Sequence, residues 1–462
     1  MQSTYEILMK KNPEIVIWGT GKIMRKYIAR IDPSINIVFF ADTYPHKWGT
    51  YPAEQINCAF SKTSCKSKDE IQRNHIVLIA IENDRDIKIV SRELDKKGIG
   101  YCHIIDAFHA HMPVYDALHV NMFENSYSKQ GQFDVNRIIK FINCHVPYTY
   151  CNLRCKYCYI SQKREFRYKK NYFHSPEFIR ASLSKRRLGG VALINICAGG
   201  ETLLCKELLP IIKEIVKEGH YVSIITNGTI TKAFDDLLTS EINLEHLFIK
   251  FSFHYLELKR LNLLKVFTSN VRKMMLSGCS ISIEITPHDE LIQYIDEIKE
   301  FSLHKFGVLP HVTVARNDAT SNLQILSKHT KEDYRQIWGT FDSKLFDFKM
   351  KQVYEKRVGH CMAGKWSFSM NLESGDIYKC VGHPYLDNIY NDLCREIYLE
   401  SVGCNCQLPY CYNAHAYLTL GLIKEIKAPS YYEVRDRETS DGTHWVHGKI
   451  EEIFKQKLYN NN

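Results

Sequence analysis

The chain has 462 residues, 45% hydrophobic and 24% charged, enough for two or three domains with sizeable cores. Its formal charge of +9 comes from dispersed lysines and arginines, the pattern of a solvated basic surface rather than of a nucleic-acid-binding block. No apolar run reaches the roughly 18 residues of a membrane span and no basic-then-apolar export signal opens the chain, so the expected compartment is the cytoplasm, where 16 clustered cysteines read as metal ligands rather than disulfides.

Taken in chain order, Ile15-Val16-Ile17-Trp18 is a short apolar run followed by Gly19-Thr20-Gly21 and a helix-like segment, Lys22 to Arg30. A second run, Ile35 to Phe40, ends at Ala41-Asp42. Strand, glycine turn, helix, strand and acid is the order that opens a Rossmann unit, where glycines let the backbone approach a phosphate and the acid meets a ribose. Met24 stands at the place of the third glycine, so the expected ligand is a nucleotide, a nucleotide-sugar or none, rather than NAD as a hydride carrier. Ile76 to Ala80 reads as a buried parallel strand and Asp86 to Lys97 as an amphipathic helix ending at Gly98. Residues 10 to 108, with this turn and the stretch Phe40 to Gly49, resemble the Rossmann-like domains at the head of some sugar-modifying and acyl-transfer proteins; a docking module that keeps the fold is the alternative. Residues 109 to 140, with His109, His111 and His119 irregularly spaced, read as a linker.

Cys151, Cys155 and Cys158 form a C-x3-C-x2-C array directly after an apolar run. Thiolates this close on a loop suit a soft metal or an iron-sulfur cluster, and three ligands to a four-iron cluster leave one iron open. A structural zinc site with Cys144 or His145 as fourth ligand is the competing reading. The array, with Tyr157 just before the third cysteine, resembles the signature of the radical S-adenosylmethionine (SAM) superfamily. The resemblance implies a 4Fe-4S cluster whose open iron chelates the amino and carboxylate groups of SAM.

From residue 141 onward, short β-like runs alternate with helix-like ones, which calls for a parallel α/β sheet or barrel. Six strands are expected: Phe141 to Val146, Val191 to Cys197, Tyr221 to Thr226, Leu247 to His254, Ile281 to Thr286 and His311 to Arg316. In the fourth, Ile249, Phe251 and Phe253 oppose Lys250, Ser252 and His254; in the fifth, Ile281, Ile283 and Ile285 oppose Ser282, Glu284 and Thr286. Helices must cover the apolar faces, which leaves the polar ones for the lumen, where a charged cofactor could satisfy them. An antiparallel sheet with one wet face would alternate too, but the intervening helices argue against it.

Six strands match the partial barrel of the radical SAM family over about residues 141 to 330. Gly199-Gly200-Glu201 follows the second strand, where a glycine pair lets a ligand approach the main chain, and the family's motif at that place contacts the SAM amino group. Thr202 replaces the family's usual proline, and Thr226-Asn227-Gly228 resembles its third-strand turn. By position Ser252 is the candidate for the SAM ribose or carboxylate, and Glu284 for SAM or substrate.

Farther on, Cys361 precedes a hairpin, Ser367 to Leu372 and Ile377 to Lys379 around Glu373-Ser374-Gly375-Asp376, which leads to Cys380; Cys404, Cys406 and Cys411 follow. This order resembles the twitch and SPASM extensions of radical SAM enzymes, without the long cysteine run of the two-cluster version. The resemblance implies one auxiliary four-iron cluster on Cys361, Cys380 and Cys411 with either Cys404 or Cys406; a zinc ribbon is the alternative. Cys394, in a helix-like segment, reads as a buried thiol, and the polar stretch from about Ala428 to the end as uninformative.

The expected layout is therefore α/β throughout: a Rossmann-like domain over 1 to 120, a partial (β/α)6 radical SAM barrel over 121 to 345, an auxiliary-cluster domain over 346 to 425 and a tail over 426 to 462. By resemblance, a flavodoxin or ferredoxin reduces the first cluster, SAM is cleaved to methionine and a 5′-deoxyadenosyl radical, and that radical abstracts a hydrogen atom. The substrate reading is a sugar, nucleotide-sugar or other small molecule, with oxidation, epimerisation or rearrangement as outcome. Maturation of a ribosomally made peptide is the alternative, although no winged-helix leader-binding domain precedes the barrel; a non-catalytic metal scaffold is the third. A redox-neutral outcome needs a hydrogen donor, for which Cys197 at the end of the second strand is the candidate.

Overall fold

The computed structural model describes residues 13–104 and 133–462, apart from 32, 57, 82, 167–170, 172, 321, 382 and 405. The chain divides into two compact units, 1–118 and 119–462. His109, His111 and His119 lie outside the described residues. No helix among the described residues is long and apolar enough to cross a membrane.

The first unit is built on a parallel five-stranded sheet in the order β3-β2-β1-β4-β5, with β1 at Ile15–Trp18, β2 at Ile37–Asp42, β3 at Cys65–Ser67, β4 at Ile76–Ile79 and β5 at Gly100–His103. Both faces of β1 are buried, Ile15 and Ile17 in one core and Val16 and Trp18 in the other, which is why the run shows no polar alternation. The helix after β1 is regular only over Lys22–Tyr27 and tightens into a 3-10 turn to Arg30. The later helix spans Asp84–Lys97, started by the Asn83 side chain accepting from the Arg85 backbone and closed at Gly98. Asp42, at the end of β2, accepts hydrogen bonds from the Thr20 hydroxyl (2.6 Å), Lys47 Nζ (2.7 Å) and the Tyr44 backbone N–H (3.1 Å). An added Cβ on Gly19, at φ +112°, would sit 2.7 Å from the Ala80 carbonyl, so that glycine is required by the close approach of β4's end.

The second unit carries a nine-stranded sheet. Six parallel strands stand each beside its sequence neighbour: β6 (Ile138–Val146), β7 (Val191–Ala198), β8 (Tyr221–Thr226), β9 (Leu247–Ser252), β10 (Ser280–Ile285) and β11 (His311–Val312). Just past the end of β9 the apolar face continues onto helices: Phe253 stacks on Phe267 at 5.0 Å and meets Phe301 and Phe306, and the fully buried rings of Phe253 and Phe267 contribute about 1.5–3 kcal/mol each.

The last strand is far shorter than the expected run to Arg316, because Ala315 N–H donates to the Tyr334 hydroxyl and Arg316 bridges back to Ile325. The fourth ends at Ser252, beyond which the chain turns into the helix Tyr255–Arg260. The first starts earlier than expected, at Ile138, whose N–H donates to Gln456 Oε1 and whose carbonyl accepts from Asn461 Nδ2.

The expected hairpin forms as β12 (Ser367–Asn371) and β13 (Asp376–Tyr378), with β14 (Tyr385–Asn388) following; β12 lies parallel against β6 and extends the same sheet. The stretch after 426 is no detached tail. Tyr431, Val434, Val446, Ile450 and Phe454 are buried in one core with Phe141, Tyr221 and Phe248.

Candidate functional site

The three first-group cysteines sit on the loop that leaves β6, and the turn after β7 holds that loop in place. Gly199, Gly200 and Glu201 N–H groups donate to the carbonyls of Val146 (3.2 Å), Tyr148 (2.6 Å) and Tyr150 (3.0 Å). An added Cβ on Gly200 would collide with the Tyr150 carbonyl, so the approach this glycine permits is that of the cysteine loop itself. The buried Glu201 carboxylate ties the ends of β7 and β8 together: it accepts from Thr226 Oγ1 (2.6 Å) and from the N–H groups of Leu203 (3.0 Å) and Asn227 (2.7 Å). Asn227 passes the link on, donating to Asn152 Oδ1 at 2.8 Å.

Burial pushes the Cys151 thiol up to about 11 and raises those of Cys155 and Cys158, and neighbouring thiolates add to the rise at Cys151 and Cys155. Three thiolates coexist here only if a strong positive charge offsets burial and mutual repulsion. Local donors favour that state: Leu153 N–H points at Cys151 Sγ (3.4 Å), and Cys158 caps the helix Tyr159–Lys163 and receives the N–H groups of Ile160 and Ser161. Tyr157 stacks on His288 with ring centroids 4.3 Å apart, and its hydroxyl meets His254 Nδ1 at 2.6 Å. Cys144 is buried in the apolar core, whereas His145 lines the polar cavity described below, so the two proposed fourth zinc ligands lie in different surroundings.

A cavity of about 160 Å³ is lined by Cys151, Cys155 and Cys158 together with Gly199, Gly200 and Ser252. A larger one, of about 380 Å³, lies over the polar face of β6 to β10, and the two share Cys158, Cys197, Ser252 and His254. The alternation in β9 and β10 thus delivers Lys250, Ser252, His254, Glu284 and Thr286 to one cavity. The Ser252 hydroxyl has no hydrogen-bond partner among the described residues and faces both spaces. Cys197 also faces both; burial raises its thiol while Lys250 lowers it, so it stays protonated near neutral pH.

Glu284 is already engaged. It forms an ion pair with Arg435, which is 1% exposed, and a second with Lys250 at 3.4 Å. Burial brings Lys250 down to about 7 and Arg435 to about 9. Sequence reasoning gave no role to Arg435, Lys349, Arg316 or His415, all of which line the larger cavity. Arg435 comes from the stretch that carried no pattern, and Lys349 from the short helix Lys344–Gln352, whose sequence marks it only as an exposed-looking lysine.

In the C-terminal part, Cys361, Cys380 and Cys411 interact electrostatically with one another and with Cys406. Cys404 is exposed instead, 4.0 Å from His360 Nδ1, so Cys406 rather than Cys404 is the fourth cysteine that interacts with these three. Cys406 also lies 3.7 Å from His383 Nε2. Cys394, expected to be buried, is exposed: its segment forms a bend rather than a helix, with its N–H on Asp392 Oδ1 at 2.8 Å.

Residues 145–260 match the family model described as the radical SAM superfamily, a segment that holds the three cysteines, the Gly199-Gly200-Glu201 turn and Ser252. The family implies a 4Fe-4S cluster and SAM. Among curated proteins no sequence matches the chain. Among solved structures it is similar to SuiB of Streptococcus suis bound to S-adenosylmethionine, at 15% identity over 67% of this chain and 75% of that one, with a TM-score of 0.39. It is similar also to native anSMEcpe with bound AdoMet (15% identity, 69% and 94% of the two chains, TM-score 0.38) and to the FeFe-hydrogenase maturase HydG from Carboxydothermus hydrogenoformans (13%, 56% and 68%, TM-score 0.28).

Proposed function

We propose that this chain is a radical SAM enzyme that abstracts a hydrogen atom from a small molecule, with a Rossmann-like head, a partial barrel formed by β6 to β11 and a cysteine-bearing extension. The observation that carries the reading is the pair of adjoining cavities, one lined by three cysteines and the other by the polar strand faces, meeting at Cys158, Cys197, Ser252 and His254. The donor set fits the cofactors: three buried or half-buried thiols whose joint ionisation needs a cationic metal centre, N–H donors aimed at two of the sulfurs, and an unpartnered hydroxyl between the two spaces.

Cys151, Cys155 and Cys158 would hold a 4Fe-4S cluster, and SAM would lie along Gly199, Gly200 and Ser252. Bound and reduced, by a flavodoxin or ferredoxin, they supply a 5′-deoxyadenosyl radical. The chain's own work is positional. The polar side chains fix the substrate in a water-poor space so that one C–H bond faces the radical, while the loop between β6 and the helix Tyr159–Lys163 is locked by the turn after β7. Cys197, protonated and facing both cavities, is placed to return a hydrogen atom where the outcome is redox-neutral. Cys361, Cys380, Cys406 and Cys411 would hold a second cluster, which would supply an electron acceptor where the outcome is oxidation.

Anaerobically purified protein is expected to carry about eight irons per chain and, once reduced, to convert SAM to methionine and 5′-deoxyadenosine. Protein with intact clusters that leaves SAM uncleaved under strong reductant would overturn the reading.

A further inference from the structure

The residues lining the larger cavity include four basic side chains, Lys250, Arg316, Lys349 and Arg435, against two carboxylates, Glu284 and Asp318. Glu284 is shared between Arg435 and Lys250, and Asp318 acts on the cysteine side, through Cys158 and Tyr159. Lys349 is left with a neutral partner, donating to Thr313 Oγ1 at 2.6 Å and meeting no carboxylate among the described residues. Burial, then Arg316 and Lys250, holds its ammonium well below the usual lysine value. Beside it, His415 presents a buried Nδ1 with no hydrogen-bond partner, and burial, Lys349, Lys250 and Arg316 together keep its ring neutral. Basic groups crowded into one cavity favour their charged forms only when a counter-charge enters it.

We propose that the substrate carries a small oxyanion, a carboxylate or a phosphate, and that Lys349, flanked by Arg316, Lys250 and His415, is the seat for it. This rests on the radical SAM reading of the same cavity and narrows its substrate class. Lys349 offers a point charge with three donors, of which Thr313 takes one. His415 adds a further donor through either nitrogen, and Arg316 brings a second cation. A neutral sugar would bring these basic groups no counter-charge, so the anionic group decides which molecules bind.

The test is calorimetric titration of the cluster-loaded, SAM-bound enzyme with inorganic phosphate, with succinate and with neutral glucose, on wild type, Lys349→Met and Lys349→Arg. Phosphate or succinate is expected to bind and glucose not to; Lys349→Met should weaken the anion about ten-fold or more, and Lys349→Arg by less than about three-fold. Tighter phosphate assigns a phosphoester substrate, tighter succinate a carboxylic acid. Failure of both anions to bind wild type, equal binding by Lys349→Met, or an equal loss of SAM affinity in that variant with its iron content intact overturns the proposal. Cleavage of SAM by the same preparations reports on the radical SAM reading independently: an enzyme that cleaves SAM but ignores anions loses only the oxyanion seat.

Discussion

The two units place similar chemistry at the ends of parallel strands and finish it differently. In the head, Gly19 and Asp42 follow β1 and β2; in the second unit, Gly200 and Glu201 follow β7. Both glycines are forced by a neighbouring carbonyl and both carboxylates are filled by three in-chain donors. The units part in what remains unsatisfied nearby. Around Glu201 lie three buried or half-buried thiols that cannot ionise together alone and the open hydroxyl of Ser252. Around Asp42 lies Lys47, which supplies the matching charge at 2.7 Å. A glycine and an acid at a strand end therefore mark a place where backbone must come close, and the leftover charge and hydrogen-bonding capacity mark the ligand.

The strongest way to break that contrast is to remove one thiol. Cys155→Ala is expected to abolish SAM cleavage, measured as 5′-deoxyadenosine, whereas Asp42→Ala should leave it unchanged; an equal loss in both would assign the head a part in the chemistry. Next come the C-terminal cysteines, where Cys406→Ser should cost about half the iron and Cys404→Ser none, read by iron analysis of anaerobic protein. Reversal of that pair would move the site to Cys404 and His360.

Gly200→Ala forces the Tyr150 carbonyl aside and should lower iron loading several-fold, while Gly19→Ala, strained at φ +112°, should cost the fold about 1–3 kcal/mol without touching iron. The buried pair is tested by Arg435→Met, which leaves Glu284 with Lys250 alone and is expected to destabilise by about 3–5 kcal/mol in denaturant unfolding, partly restored by adding Glu284→Gln. The smallest effect is in the pH dependence of stability. The folded pKa of Lys250, about 7, lies below its unfolded value, so between about pH 7 and 10.5 the unfolded chain binds more protons and stability rises with pH from this group. Lys250→Met should flatten that rise, by at most about 1.4 kcal/mol per pH unit; a slope unchanged by the substitution would mean that burial does not depress this lysine in the folded state.

Local order was legible because local patterns encode it. Period-two alternation put Lys250, Ser252 and His254 opposite Ile249, Phe251 and Phe253, and the C-x3-C-x2-C spacing marked a ligand loop before any contact was known. The ends of β9 and β11 were misjudged because a Tyr334 hydroxyl and an early helix, both distant in sequence or invisible to periodicity, take over the backbone's hydrogen bonds. Cys394 was misjudged because its helix-like segment forms a bend, which leaves the thiol exposed.

By itself, then, the sequence determined the parallel α/β character, the three-cysteine loop, the polar strand faces and a hairpin carrying further cysteines, since each is written in residues within one element or one turn. Only the tertiary structure decided that β12 joins the sheet beside β6, that Cys406 rather than Cys404 faces the other cysteines, and that Arg435 crosses 151 positions of chain to meet Glu284. Burial is the physical reason. It makes the charge of an ordinary lysine or arginine depend on a buried partner, and which residues are buried together depends on packing among segments that no local pattern connects.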